Sequence, residues 1–102
     1  MPTCRSSGVL AASAIVHSGR CKLISIHAQN TGASAATTIR VFDNASAASG
    51  TELARIILDA SAPPALISAV ELDMHGVIAE NGLYLDISTG SGTGAAVSVE
   101  FS

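Results

Sequence analysis

Three histidines and two cysteines are the side chains of this sequence best suited to bind a metal ion. They are His17, His27, His75, Cys4 and Cys21. Zinc sites commonly take pairs of such ligands a few residues apart, because one turn can then present both to the ion. These residues form no pair with that spacing. We therefore expect no metal and no other cofactor.

Acidic side chains offer a second kind of chemistry, general acid–base catalysis by two carboxylates. The candidates are Asp43 with Asp59, or Asp73 with Glu80 and Asp86. Each lies at a predicted strand end or turn, where Asp often caps backbone groups. Serine is so frequent here that a Ser-His-Asp set could be chosen almost at will. The sequence therefore predicts no catalytic residue, and we expect a protein that is not an enzyme.

Two short motifs invite a functional reading. Gly90-Ser91-Gly92-Thr93-Gly94 is rich in glycine, but a phosphate-binding loop needs a helix after it, and here a strand follows and no Lys is present. We interpret this motif as a flexible connector. Asn44-Ala45-Ser46 matches a glycosylation acceptor, but no secretory signal accompanies it, so we interpret it as a chance match.

The composition indicates one domain with a thin core. The chain has 102 residues, 48% of them hydrophobic, but many of these are Ala and only 3% are aromatic. Hydrophobic stabilisation scales with buried apolar area, and Ala buries little. We therefore expect contacts between subunits to complete the burial, which predicts a homo-oligomer, with a trimer among the possible sizes.

Charge and cysteine content limit the partners and the compartment. Only 13% of residues are charged, the net charge is −3, and the five basic residues are scattered, whereas nucleic-acid binding needs clustered Lys and Arg. A largely small and neutral surface suits close contact with proteins. A disulfide between Cys4 and Cys21 is one alternative, but we expect both to be free thiols. The sequence shows no signal peptide or membrane span, which predicts synthesis in a cytoplasm without a secretion signal.

The elements that must position these residues are short strands with two-residue periodicity. About eight such strands are predicted, and turn residues separate them. They are predicted at Gly8–Val16, Cys21–Gln29, Thr37–Asp43, about Glu52–Leu58, Leu66–Leu72, Val77–Ala79, Leu83–Ser88 and Val97–Phe101. This pattern predicts an all-β fold, a two-sheet jelly-roll-like sandwich spanning residues 8–102, with residues 1–7 as an N-terminal arm.

Some details of this prediction concern faces and turns. In the second strand Ile24, Ile26 and Ala28 are expected on one face, and Leu23, Ser25 and His27 on the other. Turns are expected at His17–Arg20, at Asp73–Gly76, and at Glu80-Asn81-Gly82, which carries the Asn-Gly signal of a hairpin. Pro63-Pro64 predicts a loop or an edge crossing, because proline cannot donate a backbone hydrogen bond.

The chain also resembles small structural proteins of tailed bacteriophages. The run from Val41 to Leu53 is similar to their pattern of a hydrophobic strand ending in Asp-Asn, a stretch of Ala and Ser, Gly-Thr and a further strand. Leu23–Gly32, Glu80–Asp86 and Val97–Phe101 fit the same pattern, so the resemblance covers about residues 8–101. It implies a jelly-roll-type virion protein and carries over no catalytic residue.

What the resemblance implies about function is a capsid decoration or cement protein. Such a protein would bind the major capsid protein at the capsid surface and bridge its subunits, after synthesis in the host cytoplasm. The alternative is a tail- or fibre-associated module that recognises a receptor or a carbohydrate. Stacking on sugar rings needs exposed aromatic rings, for which only Phe42, Tyr84 and Phe101 are present, and Phe101 is expected to be buried.

Overall fold

A computed structural model describes residues 4–30, 37–58, 69–89 and 95–102. Eight β-strands account for the regular structure of these residues. They are β1 (Arg5–Ser6), β2 (Ala14–Ser18), β3 (Cys21–Asn30), β4 (Thr37–Asp43), β5 (Thr51–Leu58), β6 (Ala69–Ala79), β7 (Gly82–Thr89) and β8 (Ala95–Phe101). In these ranges no helix has the length and apolar character that crossing a membrane requires.

The strands form two antiparallel sheets of four strands each. Sheet 1 has the order β1-β8-β3-β6, and sheet 2 has the order β2-β7-β4-β5. The first four strands thus pair with the last four in reverse order, β1 with β8, β2 with β7, β3 with β6 and β4 with β5. A long hairpin wrapped into two sheets in this way is a jelly roll. The predicted all-β sandwich is confirmed.

The core lies between the two sheets and is almost entirely aliphatic. Strand alternation places Ile39 and Val41 of β4, and Leu83 and Leu85 of β7, on the inner face of sheet 2. The largest fully buried residues of sheet 1 are Leu23, Ile26, Val97 and Val99. The alternation predicted for β4, β7 and β8 is therefore confirmed.

The faces predicted for β3 are wrong at Leu23 and Ile24. Leu23 is fully buried, as Ile26 is, while Ile24 is only half-buried. The pairing register shifts between Leu23 and Ser25, on both the β6 side and the β8 side. A bulge of this kind places an extra residue in the strand and reverses its alternation. Ser25 and His27 still share the outer face.

The turn predicted at Asp73–Gly76 is part of a strand. β6 runs from Ala69 to Ala79, and the register passes from Asp73 opposite Ser25 to Val77 opposite Leu23. Three residues of β6 therefore oppose Ile24 alone. His75 has a φ of 54° and Gly76 a φ of 79°. These residues, which the sequence predicted as a turn, instead form a three-residue bulge within a continuing strand.

The N-terminal region also differs from its prediction. Arg5 and Ser6, within the segment expected to be an arm, form β1 against β8. The chain then follows β8 further, with Leu10 and Val97 exchanging backbone hydrogen bonds of 2.7 and 2.8 Å. β2 begins only at Ala14. The single strand expected over Gly8–Val16 is thus split between the two sheets.

Gly82 follows a turn at Glu80-Asn81 that joins the two sheets and does not close a hairpin within one sheet. β6 ends in sheet 1 at Ala79 and β7 begins in sheet 2 at Gly82, so the Asn-Gly signal marks a crossover here. The Pro63-Pro64 crossing, the Gly90–Gly94 connector, Asp59 and the first residues of the predicted Leu66–Leu72 strand lie outside the described residues.

Candidate binding surface

A group of acidic side chains surrounds His27 on the outer face of sheet 1. β3 supplies Ser25 and His27, which are two residues apart and so point the same way. The strand register places Glu100 of β8 opposite Ser25 and Glu71 of β6 opposite His27. Three adjacent strands therefore bring these four side chains together.

His27 is held between two carboxylates. Its Nδ1 lies 2.9 Å from Oε2 of Glu71, and its Nε2 lies 3.1 Å from Oε1 of Glu100. Carboxylates only accept hydrogen bonds, so both contacts are hydrogen bonds when both ring nitrogens carry a proton. The Ser25 hydroxyl also donates to Glu100. These hydrogen bonds, first from Ser25 and then from His27, hold the pKa of Glu100 below its ordinary value of 4.5.

Ser25, His27 and Glu71 are placed like the nucleophile, base and acid of a serine-nucleophile site. The hydroxyl proton of Ser25, however, points to Glu100 and not to His27. Ser25 Oγ lies 3.3 Å from His27 Nε2, and Glu71 contacts the other ring nitrogen. A general base must accept the serine proton. Here that hydroxyl donates to Glu100 instead, and Ser25 is only 8% exposed. In this arrangement Ser25 and His27 both contact Glu100.

A trough runs over this face and passes the cluster. Two depressions of about 380 and 260 Å³ share His27 and Glu71 in their walls. The larger is bordered by Val9 and Val70 and lies over the small residues Ala96 and Ser98. The smaller contains the acidic cluster. We call the two together the sheet 1 trough; one end is apolar and the other is acidic.

The histidines and cysteines considered as metal ligands lie in separate places. His17 packs beside the Phe101 ring, with ring centroids 5.2 Å apart, and His75 lies in the β6 bulge. Cys4 is exposed and Cys21 is buried, and both are free thiols. The described ranges contain no group of three such side chains placed to hold a metal ion. Only His27 joins the trough.

The carboxylates considered for acid–base chemistry also have different surroundings. Asp73 lies in the wall of the trough, whereas Glu80 contacts Arg20 at 3.7 Å. Asp86 is on the outer face of sheet 2, where Arg40 donates to it from Nη2 at 2.6 Å. Asp43 accepts hydrogen bonds from backbone amides. The proposed grouping of Asp73 with Glu80 and Asp86 is therefore not assembled.

Sequence reasoning missed the trough. The period-two spacing of Ser25 with His27 was a visible signal, and Glu71 with Asp73 shows the same spacing. What joins the two pairs is the β3–β6 register, which depends on the bulge opposite Ile24. That register cannot be read from either segment alone.

Two of the three aromatic rings are unavailable for stacking. Phe42 and Phe101 are each 6% exposed, which confirms the expected burial of Phe101. Arg40 covers Phe42, with its guanidinium carbon 5.1 Å from the ring centroid. Tyr84 is half-buried on the outer face of sheet 2, opposite Ile15 on β2 and Phe42 on β4.

The glycosylation-like triplet has a local structural role. The Asn44 Oδ1 accepts hydrogen bonds from the backbone amides of Ser46 and Ala47, at 2.8 and 3.0 Å. Its Nδ2 donates to the backbone oxygen of Ser49 at 3.2 Å. Asn44 therefore shapes the β4–β5 connection in the manner typical of Asn in turns.

Comparison of the chain with protein-family models, with curated proteins and with solved structures finds no match. Statements about function therefore rest on the sequence pattern, the fold and the surface of this chain.

Proposed function

We propose that this chain is a non-enzymatic virion structural protein that decorates or cements a phage head. It would lie on the capsid surface and bridge subunits of the major capsid protein. The resemblance of its turn and strand motifs to small phage structural proteins suggests this class. The jelly-roll strand order supports it, because this architecture serves viral capsid proteins among others. Fold alone does not define function, so the surface carries the argument.

The observation that carries the proposal is a set of branched aliphatic side chains left exposed on and beside the strands. Val9 is 77% exposed, Ile57 60% and Ile15 53%. Ile15 lies on β2 and Ile57 on β5, the two edge strands of sheet 2. Strand positions are rigid, so burying these residues against a partner costs little conformational entropy. Contacts at several edges suit a protein that sits between subunits.

The same residues suit self-association. The core consists almost wholly of aliphatic side chains. Burial of Ile15 and Ile57 against a second copy would add hydrophobic stabilisation to that of the core. In this proposal the protein forms a homo-oligomer, and the capsid orders it across the joints between subunits.

Sedimentation with capsids tests the proposal. Purified protein is mixed with expanded, undecorated capsids of the virus that encodes it, and the pellet is analysed. Saturable co-sedimentation with a fixed number of copies per capsid supports the proposal. Ile15→Thr and Ile57→Thr should weaken binding or self-association. Ile78→Thr makes the same substitution at a position 44% exposed on β6 of sheet 1 and serves as the matched control. A folded wild-type protein that never binds these capsids would refute the proposal.

The tail- or fibre-associated binding module remains the second candidate, on one observation. Tyr84 presents a half-buried aromatic side chain beside the exposed Ile15 on the outer face of sheet 2. Glycan binding that disappears in Tyr84→Ala and persists in Tyr84→Phe would favour this candidate over the capsid proposal, because stacking needs the ring and not the hydroxyl.

A further inference from the structure

We propose that the sheet 1 trough binds an extended, basic segment of a partner protein. In this arrangement an Arg or Lys side chain lies among the carboxylates, and an aliphatic side chain lies between Val9 and Val70. The inference rests on the proposed function only in naming a capsid subunit as the partner. The binding chemistry is argued from the trough and is tested without a capsid.

Charge selects a cation for the acidic end. Glu71 and Glu100 form ion pairs only with His27, and Asp73 only with His75, at 3.5 Å, among the residues that the structure describes. In contrast, Glu52, Glu80 and Asp86 pair with arginines. In the described ranges none of Glu71, Asp73 and Glu100 contacts an Arg or Lys, so the trough carries negative charge without a matching permanent cation. A basic partner side chain would complement it.

The chain's own arginines make a second copy a poorer source of that cation. Each arginine already has a contact within its own subunit. These contacts are Arg5 over the Phe101 ring, Arg20 with Glu80, Arg40 with Asp86, and Arg55 with Glu52. A second copy would have to release one of these arginines to fill the trough, whereas a different protein would not. The one remaining basic residue, Lys22, is exposed on β3 and has no ion pair among the described residues, so a second copy that supplies Lys22 is an outcome that the peptide titration must distinguish.

The apolar end selects an aliphatic side chain. Val9 is 77% exposed and Val70 is 37% exposed, and the small side chains of Ala96 and Ser98 leave space between them. The depression of about 380 Å³ is large enough for more than one side chain. Covering Val9 and Val70 removes apolar surface from water, which favours binding.

The direction of the trough favours an extended segment. Gln29, His27 and Ser25 succeed one another along the outer face of β3, so their spacing is about 7 Å per step. Alternate side chains of an extended segment have the same spacing. Such a segment can therefore place an aliphatic residue near Gln29 and basic residues near His27 and Ser25.

A peptide titration tests the inference. The probe is acetyl-Val-Thr-Arg-Thr-Arg-Ala-amide, and the matched peptide replaces both Arg residues by Gln. The full chain is ¹⁵N-labelled and observed by NMR at low ionic strength, where exposed charges are least screened. We expect saturable shifts at β3, β6 and β8 around His27 that weaken as salt is added, and much smaller shifts with the Gln peptide.

Variants locate the binding. Glu71→Gln, at a largely exposed side chain, is expected to weaken binding of the Arg peptide about fivefold, the scale of one exposed ion pair. Val9→Ser is expected to weaken the binding of both peptides. Glu52→Gln removes a carboxylate from sheet 2 and should leave binding unchanged. The ¹H–¹⁵N spectrum of each variant verifies its fold.

Several results would overturn the inference. They are no saturable shift with the Arg peptide, equal binding of the Gln peptide, or equal losses in Glu71→Gln and Glu52→Gln. Self-association of the free chain through the same amides, abolished by Glu71→Gln, would assign the trough to a second copy instead. Failure of wild-type protein to bind capsids would refute the proposed function and leave the peptide result standing. If Glu71→Gln and Val9→Ser both bind capsids as the wild type does, the trough is not the capsid contact. That result would leave both the proposed function and the peptide binding standing.

Discussion

The carboxylate of Asp43 accepts a hydrogen bond from the backbone amide of Asn81 at 2.8 Å. It also accepts one from the amide of Glu80 at 3.1 Å. Asp43 ends β4 and Asn81 precedes β7, so this contact joins the β4–β5 connection to the crossover between the sheets. The Asp-Asn and Asn-Gly motifs, which lie far apart in the sequence, thus form one structural lock at an end of the sandwich.

This lock predicts a pH-dependent stability. The hydrogen bond from Asn81, followed by that from Glu80, holds the pKa of Asp43 below its ordinary value of 3.8. A carboxyl whose pKa is lowered by folding contributes stability above its unfolded-state pKa and loses that contribution as the pH falls through its folded-state pKa. Asp43→Asn should therefore cost about 1 kcal/mol at neutral pH and less below pH 3.8.

Urea denaturation at several pH values measures this difference. Glu80→Gln is the control, since its ion pair with Arg20 is exposed and should contribute little at any pH. A constant difference between wild type and Asp43→Asn from neutral to acidic pH would contradict the assignment.

Gly82 is predicted to tolerate no side chain. Its φ is 149°, and a Cβ there would lie 2.5 Å from the backbone oxygen of His17 and 3.1 Å from Cα of Ala45. Backbone atoms cannot move aside as a flexible side chain would, so Gly82→Ala should destabilise by about 1–3 kcal/mol.

Gly8→Ala is the matched control, because Gly8 also has a positive φ of 75° but no atom within 4 Å of its Cβ position. Thermal unfolding of both variants separates crowding from backbone strain. Equal losses in the two would show that contact with His17 and Ala45 has no effect.

The two thiols are predicted to differ widely in reactivity. Burial, more than the nearby charge of Asp43, raises the pKa of Cys21, and the thiolate is the reactive form. Cys4 is exposed. A thiol reagent at pH 8 should therefore modify Cys4 rapidly and Cys21 only after unfolding, as mass spectrometry of the labelled peptides would show. Rapid labelling of Cys21 in the folded protein would contradict its place in the core.

The two ion pairs on sheet 2 are predicted to contribute unequally. Arg40 donates to Oδ2 of Asp86 from Nε at 3.0 Å and from Nη2 at 2.6 Å, and the Asp86 side chain is only 17% exposed. Arg40→Met leaves this carboxylate without its cation and should cost about 1–2 kcal/mol.

Arg55→Met serves as the comparison. Arg55 contacts Glu52 three residues away on the same strand, and its side chain is 53% exposed. Its substitution should leave the free energy of unfolding unchanged within error. Denaturant unfolding curves measure the loss of stability in each variant. A larger loss of unfolding free energy in Arg55→Met than in Arg40→Met would contradict the prediction.

Local pattern was sufficient to predict the class of fold. Alternation along β4, β7 and β8 separated inner from outer residues, and glycine, proline and asparagine marked the ends of strands. These signals depend on neighbours in the chain, since side chains alternate along any strand. The aliphatic character of the core could likewise be predicted from composition.

Register and pairing were decided only in the tertiary structure. The bulge at Ile24 in β3 placed Leu23 in the core, and Asp73–Gly76 continued a strand because β3 was present to pair with it. The trough exists because β8 and β6 meet β3 so that Glu100 and Glu71 flank His27. A one-residue change of register would turn these side chains to the other face, and a single segment holds no information about its partner's register.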